Sequence, residues 1–283
     1  MRRFLLALPF LALAAPAHAL VVAPSPLPER VALAKVVIVG KVKEVEKKPV
    51  EVVAYPGEQA KSFLSIAVVE ITDGLVGVKG VTSARVAFTP PPSEEPLPPG
   101  RLPPIRRFGE TLDAGFEGVL FLTPHHDQDF YMLVRPYGLI SKKDNPDYDK
   151  QLAQVKHAAS LLADPLKSLE AKDANDRFLT AAMLVTRYRT QLTGNEKTEP
   201  IDAKESKLIL QALHDADWDM TKQRFDEMSP MRAFGLLQLT EKDGWKPRPF
   251  KNYQKEFPEA AKAWLKENLN KHRIQKFILA PAK

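Results

Sequence analysis

The stretch VVIVGKVKEV, Val36 to Val45, decides the fold of the N-terminal half. Val36, Val37, Ile38 and Val39 are β-branched, stiff at χ1 and at home on a pleated strand. The run continues through Gly40 to Val42 and Val45 before Lys47-Lys48-Pro49 breaks it. Gly40 in mid-strand fits a bulge or sharp bend, the device that lets a small barrel close. Further runs follow at Val50 to Tyr55, Phe63 to Thr72 (ended by Asp73-Gly74) and Ala84 to Thr89. Val119-Leu120-Phe121-Leu122 and Tyr131-Met132-Leu133-Val134 flank His125-His126-Asp127-Gln128-Asp129 as a hairpin would. Six short strands bounded by turn residues predict a small antiparallel barrel or sandwich. Pro90 to Pro104 carries eight prolines in fifteen residues, cannot pair into a sheet, and is expected to be a stiff, extended surface loop.

Near residue 145 the period changes. Asn145-Pro146 reads as an N-cap followed by proline at the first helical position, with Leu152, Val155, Ala159 and Leu162 recurring until Asp164-Pro165. A second helix is expected from Ala174 to Leu192, a third opening on Asp202 and Glu205 as an Asp version of the capping box, a fourth from Ser229-Pro230 and a fifth from about Pro258. The sequence therefore predicts an α+β chain. A small antiparallel β-barrel spans 24–140, and an all-α helical domain of about five helices spans 145–283.

The first residues, MRRFLLALPFLALAAPAHA, have the three parts of a secretory signal peptide over 1–19. Arg2 and Arg3 form the basic start, Phe4 to Ala15 the apolar core, and Ala17-His18-Ala19 the small-x-small site that predicts a mature start at Leu20. A spanning helix needs about 20 apolar residues, and Pro9 interrupts this run. The expectation is export to the periplasm or beyond, with no stable membrane span after cleavage. The chain has no cysteine. A lipid anchor and a disulfide framework are thereby excluded, and ordinary cores must stabilise the protein.

The net charge of +6 falls to +4 without the two signal arginines. Leu20 to Ser141 holds 13 basic and 14 acidic residues, whereas Lys142 to Lys283 holds 26 and 21. The excess is spread along helices, as on a solvated surface. Single-strand binders need a positive groove with stacking aromatics. The N-terminal half has neither, so nucleic acid is not an expected partner.

Few residues carry chemistry. His125, His126, Asp127 and Asp129 are the right types for a transition-metal site and are the candidate ligands. Adjacent turn residues rarely converge on one ion, and a polar hairpin tip is the competing reading. No G-x-S-x-G elbow, S-x-x-K set or phosphate loop is present; Gly74, Gly77 and Gly80 lack the G-K-[ST] ending. Glu94-Glu95 lies in the Pro-rich stretch, where no burial would raise a carboxylate. Trp245-Lys246-Pro247-Arg248-Pro249-Phe250 mixes aromatic, basic and proline residues, the composition of a contact loop, with Trp245, Arg248 and Phe250 as its candidate contacts.

The segment APSPLPERVALAKVVIVGKVKEV resembles the opening of the netrin-like modules, which include the N-terminal domain of the tissue inhibitors of metalloproteinases. There a short segment leads to a helix and then a strand of the type A-[DK]-V-V-I-x-[AG]-K. Glu29 to Ala34 would be the helix here and Lys35 to Val42 the strand, with LSIAVVEI, ARVAFTP and FEGVLFLT as later strands. Over residues 24–140 the resemblance implies an OB-like barrel of five or six strands. Those inhibitors chelate zinc through an N-terminal cysteine held by disulfides; this chain has no cysteine and a predicted start at Leu20. The resemblance implies a scaffold without that mechanism.

The leading expectation is an exported, non-enzymatic interaction protein of the cell envelope, with no cofactor and a protein partner. The alternatives are a metal-dependent hydrolase built on His125, His126 and Asp127, and a protease inhibitor of netrin-like form.

Overall fold

The computed structural model describes residues 25–89, 111–134, 137–191, 196–224, 226–246 and 249–279. The signal segment 1–19 with Ala17 and Ala19, and Leu20 after it, lie outside them, as do Pro90 to Pro104 and Arg248. After helix α1 (Leu27–Leu33) come β1 (Val36–Val45), β2 (Val50–Val53), β3 (Lys61–Val76), β4 (Ser83–Phe88), β5 (Glu117–Pro124), β6 (Tyr131–Leu133) and β7 (Leu139–Ser141). Then follow α2 (Tyr148–Ala163), α3 (Pro165–Leu169), α4 (Ala174–Arg189), β8 (Glu196–Pro200), α5 (Ala203–Asp215), α6 (Pro230–Leu236), α7 (Tyr253–Asn268) and β9 (Gln275–Leu279). The fold is mixed α/β, with a seven-stranded sheet in the N-terminal half.

β1 pairs antiparallel with both β3 and β5. β3 pairs antiparallel with β4, β4 runs parallel to β6, and β6 pairs antiparallel with β5. The pairing path β1-β3-β4-β6-β5 thus returns to β1. β7 adds to β5, and β2 forms a ribbon with the first part of β3.

The unbroken VVIV run has a direct cause. Successive strand residues face opposite sides, and here both sides are covered. Val37 joins the core shared with the helices, together with Val119, Phe121 and Ile140. Val36, Ile38 and Val42 face a second core with Ala67, Val69, Val86, Leu120 and Leu122. Past Gly40 one side opens, and Lys41 and Lys43 are exposed. The bulge expected at Gly40 is present as a register shift against β3 between Val39 and Gly40. A Cβ there would lie 2.6 Å from Val69 Cγ1 and 2.8 Å from the Glu70 carbonyl oxygen, so only glycine lets β3 approach this closely.

Five sequence expectations need correction. β3 does not stop at Asp73-Gly74, because irregular pairing with β1 carries it through Val39↔Asp73 and Ile38↔Gly74 to Val76. A seventh strand, β7, is only three residues long and gave no periodic signal. α2 starts at Tyr148, since Asn145 forms a turn ahead of it, its Oδ1 accepting from the Asp147 N–H and its carbonyl from the Tyr148 N–H. α7 starts at Tyr253, one turn before Pro258, because Asn252 Oδ1 accepts from the Lys255 N–H while Glu256 Oε1 accepts from the Asn252 N–H. The helical half is also not all-α: β8 and β9 pair into a two-stranded ribbon within it.

The largest core spans the change at residue 145. It contains Val31 and Ala32 of α1, Phe121 of β5, Val155 of α2, Met183 of α4, Leu210 of α5, Phe234 of α6 and Leu265 of α7. α1 is tied to the helices by polar contacts as well. Arg232 Nη2 donates to Glu29 Oε1 at 2.6 Å, and Arg187 Nε donates to the Ala32 carbonyl at 3.1 Å. Burial pushes the Glu29 carboxyl above the usual carboxylate range, against the pull of Arg232 and Arg30.

Candidate functional site

α6, capped by Ser229 Oγ on the Arg232 N–H, places Phe234 at the hub of an aromatic cluster. Phe234 meets Trp245, Trp264, Trp218 and Phe257 edge-on, with ring centroids 4.9, 5.8, 6.0 and 6.0 Å apart. Edge-to-face geometry suits the ring quadrupoles and adds to the gain from burial. α7 sets Tyr253, Phe257 and Trp264 along one stripe, four and seven residues apart. Tyr253 stacks on Phe257 at 5.0 Å and 22°, and Phe250 meets both edge-on.

The cluster is graded from core to surface. Trp218, Phe234 and Trp264 are buried, Trp245, Phe250 and Phe257 are half-buried, and Tyr253 is 47% exposed. Exposed Lys246, Lys251 and Lys255 flank this outer end. Two of the sequence candidates, Trp245 and Phe250, therefore belong to one aromatic ledge. Tyr253 and Phe257 were not among the candidates. Their four-residue spacing was readable, but Pro258 pointed to a later helix start.

At the inner end, Trp264 Nε1 donates to the Asp243 carbonyl at 2.9 Å, and Asp243 Oδ2 accepts from the Thr240 N–H and hydroxyl. His272 packs edge-on to Trp264 at 5.1 Å, its Nδ1 3.7 Å from Asp243 Oδ1. Burial pushes His272 below its ordinary value of 6.5, Asp243 pulling it back and Arg189 adding to the depression. The unfolded chain then binds the proton more readily than the folded one, so stability rises with pH. This contribution is complete above about pH 6.5 and is lost as the pH falls through the folded value. The urea midpoint is accordingly expected to drop between neutral and mildly acid buffer. His272→Gln should flatten that dependence; an unchanged slope would show that His272 is not its source.

The histidine turn is built differently from a metal site. His125 is buried, and its Nδ1 accepts from the Asp127 and Gln128 N–H groups, each at 3.1 Å. Two donors aimed at one nitrogen require its lone pair, so the ring proton is on Nε2, which donates to the Val53 carbonyl at 3.0 Å. His126 stacks on His125 at 4.3 Å, with its Nε2 3.0 Å from Asp127 Oδ2. The Asp129 backbone carbonyl accepts from Arg85 Nη1 at 3.5 Å. His125, His126, Asp127 and Asp129 are thus not brought together as ligands. Among the described residues no group of three or more His, Asp or Glu side chains is placed to hold a metal ion.

A hollow of about 460 Å³ beside the start of α4 and the end of α5 is lined by Asp215, Asp217, Asp219 and Lys222, among others. Hydrogen bonds hold two of these acids below the usual range, chiefly from the Asp219 N–H on Asp217 and the Thr221 hydroxyl on Asp219, and Lys222 bridges them. A general acid requires the opposite shift.

No protein-family model matches the chain, and no curated protein matches it. Among the described residues no helix is long and apolar enough to cross a membrane.

Proposed function

We propose that the chain is an exported, non-enzymatic interaction protein of the cell envelope. In this reading an OB-like barrel of netrin-like form serves as the scaffold, and the aromatic ledge on the helical half meets a partner protein. The strand path supports the barrel: β1, β3 and β4 meander, β4 runs parallel to β6, and β5 returns to β1. The tripartite start of the sequence supports export.

The ledge carries the proposal. An exposed tyrosine stacked on a half-buried phenylalanine, beside Phe250 and three lysines, offers rigid apolar area with a cationic rim. Aromatic residues are enriched where proteins bind one another, and as anchors they dominate the energy there. Tyr253→Ala should cost a partner about 2 kcal/mol or more of affinity, some thirtyfold. Because the ring is half exposed, the thermal midpoint should change little. The test compares proteins captured from an envelope fraction by the wild-type chain and by Tyr253→Ala, followed by titration of any protein the variant loses. Identical captured sets, at equal stability, would discard the ledge as the contact.

A further inference from the structure

We propose that His125 is an acid-released clasp that holds the β2–β3 ribbon onto the turn between β5 and β6. One ring does two jobs of opposite polarity. Nδ1 supplies a lone pair to two backbone N–H groups of the turn, and Nε2 supplies a proton to Val53, 72 residues earlier in the chain. Only the neutral Nε2–H form does both. A second proton would enter at Nδ1, place a donor against two donors and leave both amides without an acceptor. The ring is buried, and a charge held there against two donors is costly, so the turn must open to let water reach it.

The clasp matters because it ties the ribbon to a turn whose strands β2 does not pair with. Among the described residues β2 pairs with β3 alone. Beneath it lies a small separate core of Ala54, Leu64, Ile66, Ala87, Phe130 and Met132, with Val50, Val52 and Tyr55 packed at its edge. The His125 ring closes one side of this core, 4.7 Å from Phe130. The charged groups on the surrounding elements are largely matched. Asp127 faces His126 on the turn, Arg85 of β4 pairs with Glu46 and donates to the Asp129 carbonyl, and Lys61 of β3 lies opposite Glu51 of β2. Opening would wet Leu64, Phe130 and Met132 while leaving the two larger cores intact.

The test uses the ¹⁵N-labelled chain without ligand. Long-range ¹H–¹⁵N spectra at about pH 7.5 should show His125 in the Nε2–H form. Amide protection in residues 50–53 and 61–64 should fall on the order of tenfold or more between about pH 7.5 and about pH 4.5, the range in which imidazoles gain a proton. Asparagine keeps an acceptor at the δ position and glutamine a donor at the ε position, and neither titrates. In His125→Asn and His125→Gln the ribbon should be looser at neutral pH, with the acid response gone. His126→Ala should keep it. An Nδ1–H form at neutral pH would overturn the proposal. So would an undiminished acid response in either His125 variant, each of which tests it without the other. Any response of His272 is read separately, on amides of the helical half.

Discussion

Phe121→Ala is expected to destabilise the whole molecule by about 3–5 kcal/mol, the usual cost of emptying a large buried aromatic site. Native proteins of this size hold only about 5–15 kcal/mol in reserve, so much of the chain should unfold near physiological temperature. Phe121 is fully buried, and its backbone is anchored on both sides, its N–H on the Gly138 carbonyl and its carbonyl on the Val134 N–H. Neighbouring strands therefore cannot move in to fill the space. The side chain belongs to the core that also holds residues of α2, α4, α5, α6 and α7. All three tryptophans, Trp218, Trp245 and Trp264, lie in that helical half. Urea unfolding followed by tryptophan fluorescence should thus report a sheet mutation. Coincident fluorescence and far-UV circular dichroism transitions, both shifted, are the expected result. A tryptophan transition left at its wild-type midpoint would show that the halves unfold independently. Leu122→Ala gives the contrast. It empties the other core on the opposite face, so its effect on fluorescence should come only through global unfolding.

The difference between these neighbours shows what the sequence could and could not reveal. Val119 to Leu122 and Val36 to Val39 read as strands because β-branched and aromatic residues cluster between turn signals. The glycine in β1 pointed to a bulge for a local steric reason. Helix starts at Ser229-Pro230 and Asp202 were legible because the side chains that cap them are local; Asp202 Oδ1 accepts from the Lys204 and Glu205 N–H groups. Partners distant in sequence were not legible. Glu205, read as half of a capping box, instead accepts from the Tyr188 hydroxyl at 2.6 Å. His125 looked like a ligand because its residue type and neighbours were visible. Its acceptor at Val53 and its commitment to the turn were not. Tyr253 was hidden by a local rule: Pro258 argues against helix around it, and the Asn252–Glu256 cap with the stacked rings outweighs one lost backbone hydrogen bond.

The same limit hid Arg189. A cation in the last turn of α4 would ordinarily face solvent and the helix dipole. Here it is buried. Nε donates to the Leu236 carbonyl at 3.3 Å, Nη1 to the Gln275 carbonyl at 3.3 Å and Nη2 to Gln238 Oε1 at 2.7 Å. The guanidinium lies 4.6 Å from the Phe277 ring centroid. Burial lowers its affinity for the proton, and Asp243 partly offsets this, but an arginine stays charged. One planar fork therefore joins α4, the end of α6 and β9, and β9 is the only partner of β8 among the described residues. β8 does not read as a strand in isolation, since Glu196-Lys197-Thr198-Glu199 is polar and ends on Pro200. Arg189→Ala should cost about 2–4 kcal/mol, from hydrogen bonds to a charged donor lost together with the stack. Arg189→Met keeps much of the stem, yet leaves the three acceptors without their donor. Arg189→Lys keeps the charge but cannot reach three acceptors in one plane. Both should recover less than half of the loss, and exchange at the Phe277 and Ile278 amides should quicken more than in α4. Wild-type stability in the methionine variant would mean that the stem, and not the fork, holds the ribbon in place.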